Sequence, residues 1–222
     1  DDIPRYLLSP DARLKKRALD MLMRELGRRE VRRPWGSIEP FIIALYHIIF
    51  VDRDTKIGKI LLDYLNRILP KVRNTLPLEV QEAANIILHA VQGEIGVIDK
   101  NSTLKQIQGY KVTTSISELV KRVVIIELKG EYDDSLDKLL KEISDKMKQE
   151  LWDLRTLLKE PDSRVIAEYF FLDLDIAEST REPENVYTIR GYFINRAKEL
   201  QKVYEERKRI IDSLRTEYEE LK

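Results

Sequence analysis

Cysteine is absent from the 222 residues of this chain. Its absence excludes disulfides, thiol catalysis, and zinc or iron–sulfur sites with cysteine ligands. Histidine is nearly absent as well, because the chain has only His47 and His89. Both lie in apolar stretches without the HExxH spacing of a zinc site, so we interpret them as packing residues and predict no bound metal.

Glycine-rich loops and long apolar runs are also missing. The eight glycines never cluster into a phosphate-binding loop, and the longest apolar run, residues 41–51, is too short to cross a bilayer. The first residues lack the layout of a signal peptide, which favours a cytoplasmic protein. The chain starts at Asp1 without a methionine, so we leave open that further repeats precede it.

Carboxylate pairs suited to acid–base catalysis are not apparent. Asp133, Asp134 and Asp137 lie where a predicted helix begins, and negative charge is expected there as capping. Asp173 and Asp175 are two residues apart on a predicted helix, so they cannot face one point. We therefore predict no catalytic residue, no cofactor and no enzymatic activity. An enzyme with a site inside a helical bundle is the alternative.

No sign of charge dominates the chain, because 39 basic residues match 39 acidic ones. Residues 1–126 nevertheless hold 21 basic and 15 acidic residues, and the remainder has the opposite excess. A neutral total provides no general attraction to nucleic acid or to a membrane surface.

The chain does contain an internal repeat. Residues 11–26 (DARLKKRALDMLMREL) and 54–69 (DTKIGKILLDYLNRIL) align at an offset of 43, with seven identities in sixteen positions. A period in the forties is typical of stacked helical hairpins, in which each hairpin covers the apolar face of the next.

Capping residues and helix breakers predict a succession of short helices through the first 110 residues. Ser9 and Asp11 are suitable caps for the first repeat helix, and the apolar helix after Ser37 should be buried on nearly every side. The predicted elements are a helix over 11–26, a helix that opens at Ser37, a repeat helix that ends before Pro70, and a helix from Pro77 to Gly93.

Residues 9–69 resemble HEAT repeats. In that family the second helix of a hairpin begins with an aspartate, then a Val-Arg pair, and an alanine three residues after the arginine. Residues 14–18 match this pattern, and residues 57–61 match it in part, with Gly58 in place of the basic residue. Residues 40–49 resemble the family's first helix. The resemblance implies a curved stack of helix pairs that presents a surface to another macromolecule.

Longer helices are predicted in the second half. Ser115 with Glu118 forms the pattern of a capping box, and Gly130 is placed to end the helix that follows. The predicted helices are 116–128, Asp134 or Ser135 to about Lys159, Pro161 to about Ser179, and 187–221.

A heptad seam runs along the last helix, with steps of four and three sustained for about four repeats. We expect its first part to pack inside a bundle against residues 136–158. The part beyond Arg207 should protrude and pair with another helix, as in a homodimer, with Arg207 setting the register. The seam consists of Phe193, Ala197, Leu200, Tyr204, Arg207, Ile211, Leu214, Tyr218 and Leu221.

Basic side chains follow one stripe of the first repeat helix and continue into the connector. We interpret this basic ridge as a docking surface for a protein or a polyanion. One alternative is a solvated face or a dock for the acidic half of the same chain. Another is a nucleic-acid site, which would bind phosphates with strong salt dependence. The basic ridge comprises Arg13, Arg17, Arg24, Arg28, Arg32 and Arg33, with Trp35 beside it.

These features predict an all-α fold, with a HEAT-like helical-hairpin stack over 1–110 and a long-helix bundle over 111–222 that ends in a coiled-coil helix. The predicted function is a non-enzymatic scaffold or adaptor for another protein, since stacked helices leave a large continuous surface free. A chromatin- or RNA-associated protein that binds nucleic acid through the basic ridge is the alternative.

Overall fold

The structure, a computed structural model, describes residues 3–32, 34, 37–157 and 188–222. Every regular element in these ranges is helical, which confirms the predicted all-α fold. A short 3₁₀ turn, Arg73–Thr75, follows α4. The α-helices are α1 (Ile3–Leu7), α2 (Ala12–Leu26), α3 (Glu39–Phe50), α4 (Thr55–Val72), α5 (Leu78–Glu94), α6 (Lys100–Gly109), α7 (Ser115–Lys129), α8 (Ser135–Leu157) and α9 (Ile189–Glu220).

The two repeat segments are the helices α2 and α4, and they lie side by side. Helix α1 packs against α2 and α3, while α3 packs against α4. One polar contact joins the repeat helices, because the Arg67 guanidinium donates to the carbonyl oxygen of Leu26 at 3.1 Å. The first four helices therefore form two adjacent pairs, and the HEAT assignment itself stays a prediction.

Equivalent positions of the repeat have equivalent environments. Ala18 and Leu22 of α2 are completely buried, and so are their counterparts Leu61 and Leu65 of α4. The aspartates at the matching positions, residues 20 and 63, are exposed in both helices. The sequence repeat thus corresponds to the same pattern of buried and exposed positions in the two helices.

Gly58 allows α4 to approach α3 closely. A Cβ atom at this position would lie 2.1 Å from Cδ1 and 2.8 Å from Cγ1 of Ile49, which is itself buried. The second repeat helix departs from the HEAT pattern at this residue because the space for a side chain is already filled.

Helix α3 lies at the centre of the fold. Nine of its twelve residues are buried, as its apolar composition predicts, and it packs against α1, α4, α5 and α9. Ser37 contributes to its start, since the hydroxyl oxygen accepts from the Glu39 N–H at 3.1 Å.

Two predicted helix boundaries are wrong. Helix α4 continues through Pro70 to Val72, because proline removes only one hydrogen bond in the last turn and Val72 is buried there. Helix α7 is capped by Thr114 rather than by Ser115, since the Thr114 hydroxyl oxygen accepts from the Ser117 N–H at 3.1 Å. The Ser115 hydroxyl instead accepts from Lys146 Nζ at 2.6 Å.

Helix α7 connects the two predicted regions of the chain. It packs against α5, α6, α8 and α9, and Gly130 ends it in a left-handed conformation. The first part of α9 packs internally as expected, against α3 and α7 as well as the predicted α8. The division at residue 110 stays a prediction, and the predicted helix from Pro161 to Ser179 lies outside the described residues.

Candidate functional site

Helix α9 has a buried half and an exposed half. Phe193 and Ala197 are completely buried, whereas Leu214 is 59% exposed and Leu221 is 86% exposed. All residues from 205 to 222 are exposed. We call residues 205–222 the arm and the rest of the described chain the body. At 1.5 Å per residue the arm is about 27 Å long.

Aromatic and imidazole side chains anchor α9 to α3. The Tyr192 hydroxyl lies 2.9 Å from Nδ1 of His47, and the Phe193 ring centroid lies 4.9 Å from that of Tyr46. Burial lowers the pKa of His47, while the Asp52 carboxylate, 3.6 Å from Nε2, opposes this effect. His47 is therefore a docking residue for α9, in agreement with the packing role expected from its apolar surroundings.

A buried ion pair anchors α9 to α7. Arg196 donates from Nε to Oε1 of Glu127 at 2.8 Å and from Nη1 to Glu199 at 2.9 Å. The Glu127 side chain is 6% exposed, and this burial raises its pKa to about 6 despite the opposing effect of Arg196. Removing either partner from such a pair is costly, because it leaves an uncompensated buried charge.

Two further polar contacts fix the start of α9. The Ile189 N–H donates to the Glu39 carboxylate at 2.7 Å, and Arg190 pairs with Glu79 at 3.3 Å. The Thr188 hydroxyl oxygen caps the helix by accepting from the Gly191 N–H at 3.0 Å. Helix α9 is thus bound to α3, α5 and α7 before the arm begins.

Stacked tyrosines mark the point where α9 leaves the body. The rings of Tyr132 and Tyr204 lie 4.0 Å apart between centroids, beside a cavity of 240 Å³. Three arginines line the cavity, and two of them are already engaged, since Arg196 binds Glu127 and Arg53 binds Glu94 at 2.7 Å. The third, Arg207, is exposed, and a single cation does not form a set of polar groups that converge on a ligand.

Large apolar side chains are exposed along the arm. Four residues spaced as i, i+3, i+4 and i+7 (Ile211, Leu214, Arg215 and Tyr218) border a shallow depression on its surface. In coiled coils, four residues with this spacing form the hole that receives one side chain of a facing helix. Contiguous apolar exposure of this kind typically marks an interaction site. The exposed apolar residues are Ile210, Ile211, Leu214, Tyr218 and Leu221.

The described residues of the basic ridge are exposed, but some of their charge is neutralised. Arg28 and Arg32 both pair with Glu25, at 3.4 Å and 2.7 Å, and the hydrogen bond from Arg32 lowers the pKa of Glu25. The Arg17 guanidinium lies 5.9 Å from the centroid of the Tyr6 ring. Arg13 and Arg24 are exposed on the same helix, whereas Arg33 and Trp35 lie outside the described residues.

Sequence reasoning did not single out Glu127, Tyr192 or Arg196. Glu127 ends the run VVIIE, where a carboxylate after four β-branched residues is the one available signal of a buried charge. Its partner lies 69 residues later, and no local pattern links the two positions.

Within the ranges that the structure describes, no three side chains of the metal-ligating types come together. None of the described helices has both the length and the apolar character needed to cross a bilayer. Comparison with known proteins finds no matching family model, no matching curated protein and no matching solved structure.

Proposed function

We propose that the protein is a non-enzymatic scaffold or adaptor whose body holds α9 in place and whose arm pairs with another helix. The observation that supports this most directly is the change in burial along a single heptad seam. Phe193 and Ala197 are covered by the body, while Ile211, Leu214 and Tyr218 continue the same seam in solvent.

Burial of the exposed seam supplies the driving force for pairing. Covering a side chain of the size of leucine contributes about 1.5–3 kcal/mol. Association also costs at least about 4 kcal/mol in translational and rotational freedom, so several seam residues must be covered together. Because the docked half of α9 already continues into the arm as helix, pairing does not require the arm to fold from a disordered chain.

Photocrosslinking tests the proposal at single residues. We expect a benzophenone amino acid at Leu214 to give defined adducts in the native extract, and the same amino acid at Thr216 to give few. Thr216 is the matched control because it is exposed on the face of the arm opposite the seam. No adduct from either position, or equal adducts from both, would contradict the proposal.

A homodimer through the arm is one form of the proposed pairing. Light scattering on the full chain and on a chain without residues 208–222 measures its contribution directly. A dimer that becomes a monomer on truncation would support self-pairing, while the same oligomeric state for both chains would assign the arm to a different partner.

A further inference from the structure

We propose that the arm binds an amphipathic helix of another protein, one that places acidic residues beside the apolar seam. This inference rests on the proposed function, because it identifies the kind of helix with which the arm pairs. It follows from the charges that border the seam and from the position of the body relative to it.

Basic side chains border one edge of the seam. Lys208, Arg215 and Lys222 are spaced by seven residues, so they lie along one line of the helix next to Ile211 and Tyr218. We call these three residues the basic edge. Among the described residues, no carboxylate lies within 4.0 Å of their charged nitrogens, and Lys222 instead lies 5.1 Å from the centroid of the Tyr218 ring.

Five of the six acidic residues of the arm point away from the seam, and the sixth, Glu217, borders the edge opposite the basic edge. Glu205, Asp212 and Glu219 follow one line beyond the basic edge, and Glu206 and Glu220 follow another on the far side of the helix. The seam therefore presents positive charge at one edge although the arm also contains many carboxylates. In paired helices, the residues that flank the seam select the partner through charge complementarity.

The body obstructs parallel pairing with a second copy. Helices that pack side by side have axes about 8–10 Å apart. In a parallel pair in register, the second helix would pass along the same seam at Tyr204, where Tyr132 of the body already lies against the helix. Each copy would therefore meet the other's body at the base of its arm.

The basic edge opposes antiparallel pairing with a second copy. Such a pair would place Arg215 beside the partner's Arg215 and Lys208 beside the partner's Lys222, so that like charges align along one side. Like charges at neighbouring positions of paired or single helices are destabilising. A separate helix with acidic flanks avoids both obstacles, because it brings no body to the base of the arm and its carboxylates complement the basic edge.

Two synthetic helical peptides test the inference on the full chain. Both have isoleucine and leucine at the seam positions; one has glutamate and the other has lysine at the flanking positions that face the basic edge. We expect fluorescence anisotropy to show that the glutamate peptide binds at least about tenfold more tightly at low salt, with a smaller difference at high salt. The double variant Lys208→Glu with Arg215→Glu should reverse the preference, so the test includes a gain of binding as well as a loss.

Leu214→Asp should abolish binding of both peptides, whereas Thr216→Asp, on the opposite face, should leave binding unchanged. Equal affinity for the two peptides, lost in Leu214→Asp, would overturn the acidic partner while preserving helix pairing as the function. If the chain is a dimer and Leu214→Asp dissociates it, the acidic partner would also be overturned, and the arm would pair with a second copy. A monomer that binds neither peptide would overturn both proposals.

Discussion

Glu127 is a carboxylate whose burial opposes its ionisation. In the folded protein its pKa is raised from 4.5 to about 6, chiefly by desolvation. Below pH 4.5 the group is protonated in both the folded and the unfolded chain. As the pH rises through 6, the unfolded chain releases the proton more readily, so the contribution of this group to stability is lost.

We expect Glu127→Gln to remove this pH dependence. Between pH 4.5 and pH 7.5 the parent chain should lose about 1–2 kcal/mol in free energy of unfolding through this group, and the variant should not, because glutamine has no proton to lose. The difference in free energy of unfolding, variant minus parent, should therefore increase by that amount. Urea unfolding of both chains at the two pH values measures the change. A stability difference that is the same at both pH values would mean that Glu127 ionises normally in the folded protein.

At the scale of the element, the docking of α9 depends on a few polar contacts placed among apolar ones. The Arg196 guanidinium of α9 donates hydrogen bonds to the Glu127 carboxylate of α7, and the Tyr192 hydroxyl of α9 is hydrogen-bonded to His47 of α3. Buried pairs of this kind contribute little net stability when intact, but a single broken partner leaves a charge without compensation.

Arg196→Met should therefore destabilise the protein by about 3 kcal/mol or more, because it leaves Glu127 buried and unpaired. The double variant Arg196→Met with Glu127→Leu should recover most of this loss. Hydrogen exchange should speed up across residues 189–204 in the single variant. Arg209→Met, an exposed change on the same helix, is the control. If it destabilises the chain as much as Arg196→Met, the buried pair is not the cause.

Most helices were predictable because their signals are local. Asp11 and Asp54 accept hydrogen bonds at the starts of the repeat helices, and the apolar run of α3 is buried as its composition indicates. The end of α4 was not predictable, because burial of Val72 outweighs the effect of Pro70. The partners of α9 were not predictable either, since long-range pairing leaves no pattern within a sequence window. The exposure of the arm agrees with the prediction from helix length, whereas coiled-coil pairing stays a proposal.

At the scale of the whole molecule, part of the positive charge around the basic ridge is neutralised by neighbouring carboxylates. Glu25 already engages Arg28 and Arg32, and Lys71 pairs with Glu30 at 3.2 Å. A polyanion would have to compete with Glu25 for two cations of the basic ridge, Arg28 and Arg32. The arm faces no such competition, because its basic edge and apolar seam have no partner among the described residues.

The two halves of α9 should contribute very unequally to stability. Removing residues 208–222 deletes exposed side chains alone, so the free energy of unfolding in urea should change by less than about 0.5 kcal/mol. Removing residues 189–222 also uncovers the contacts of Ile189, Tyr192, Phe193 and Ile194, all buried in the parent chain. At about 1.5–3 kcal/mol for each, this loss is of the order of the whole stability of a typical domain. The longer truncation should therefore fail to fold, and an equally large loss from the shorter one would show that the arm packs on its own body.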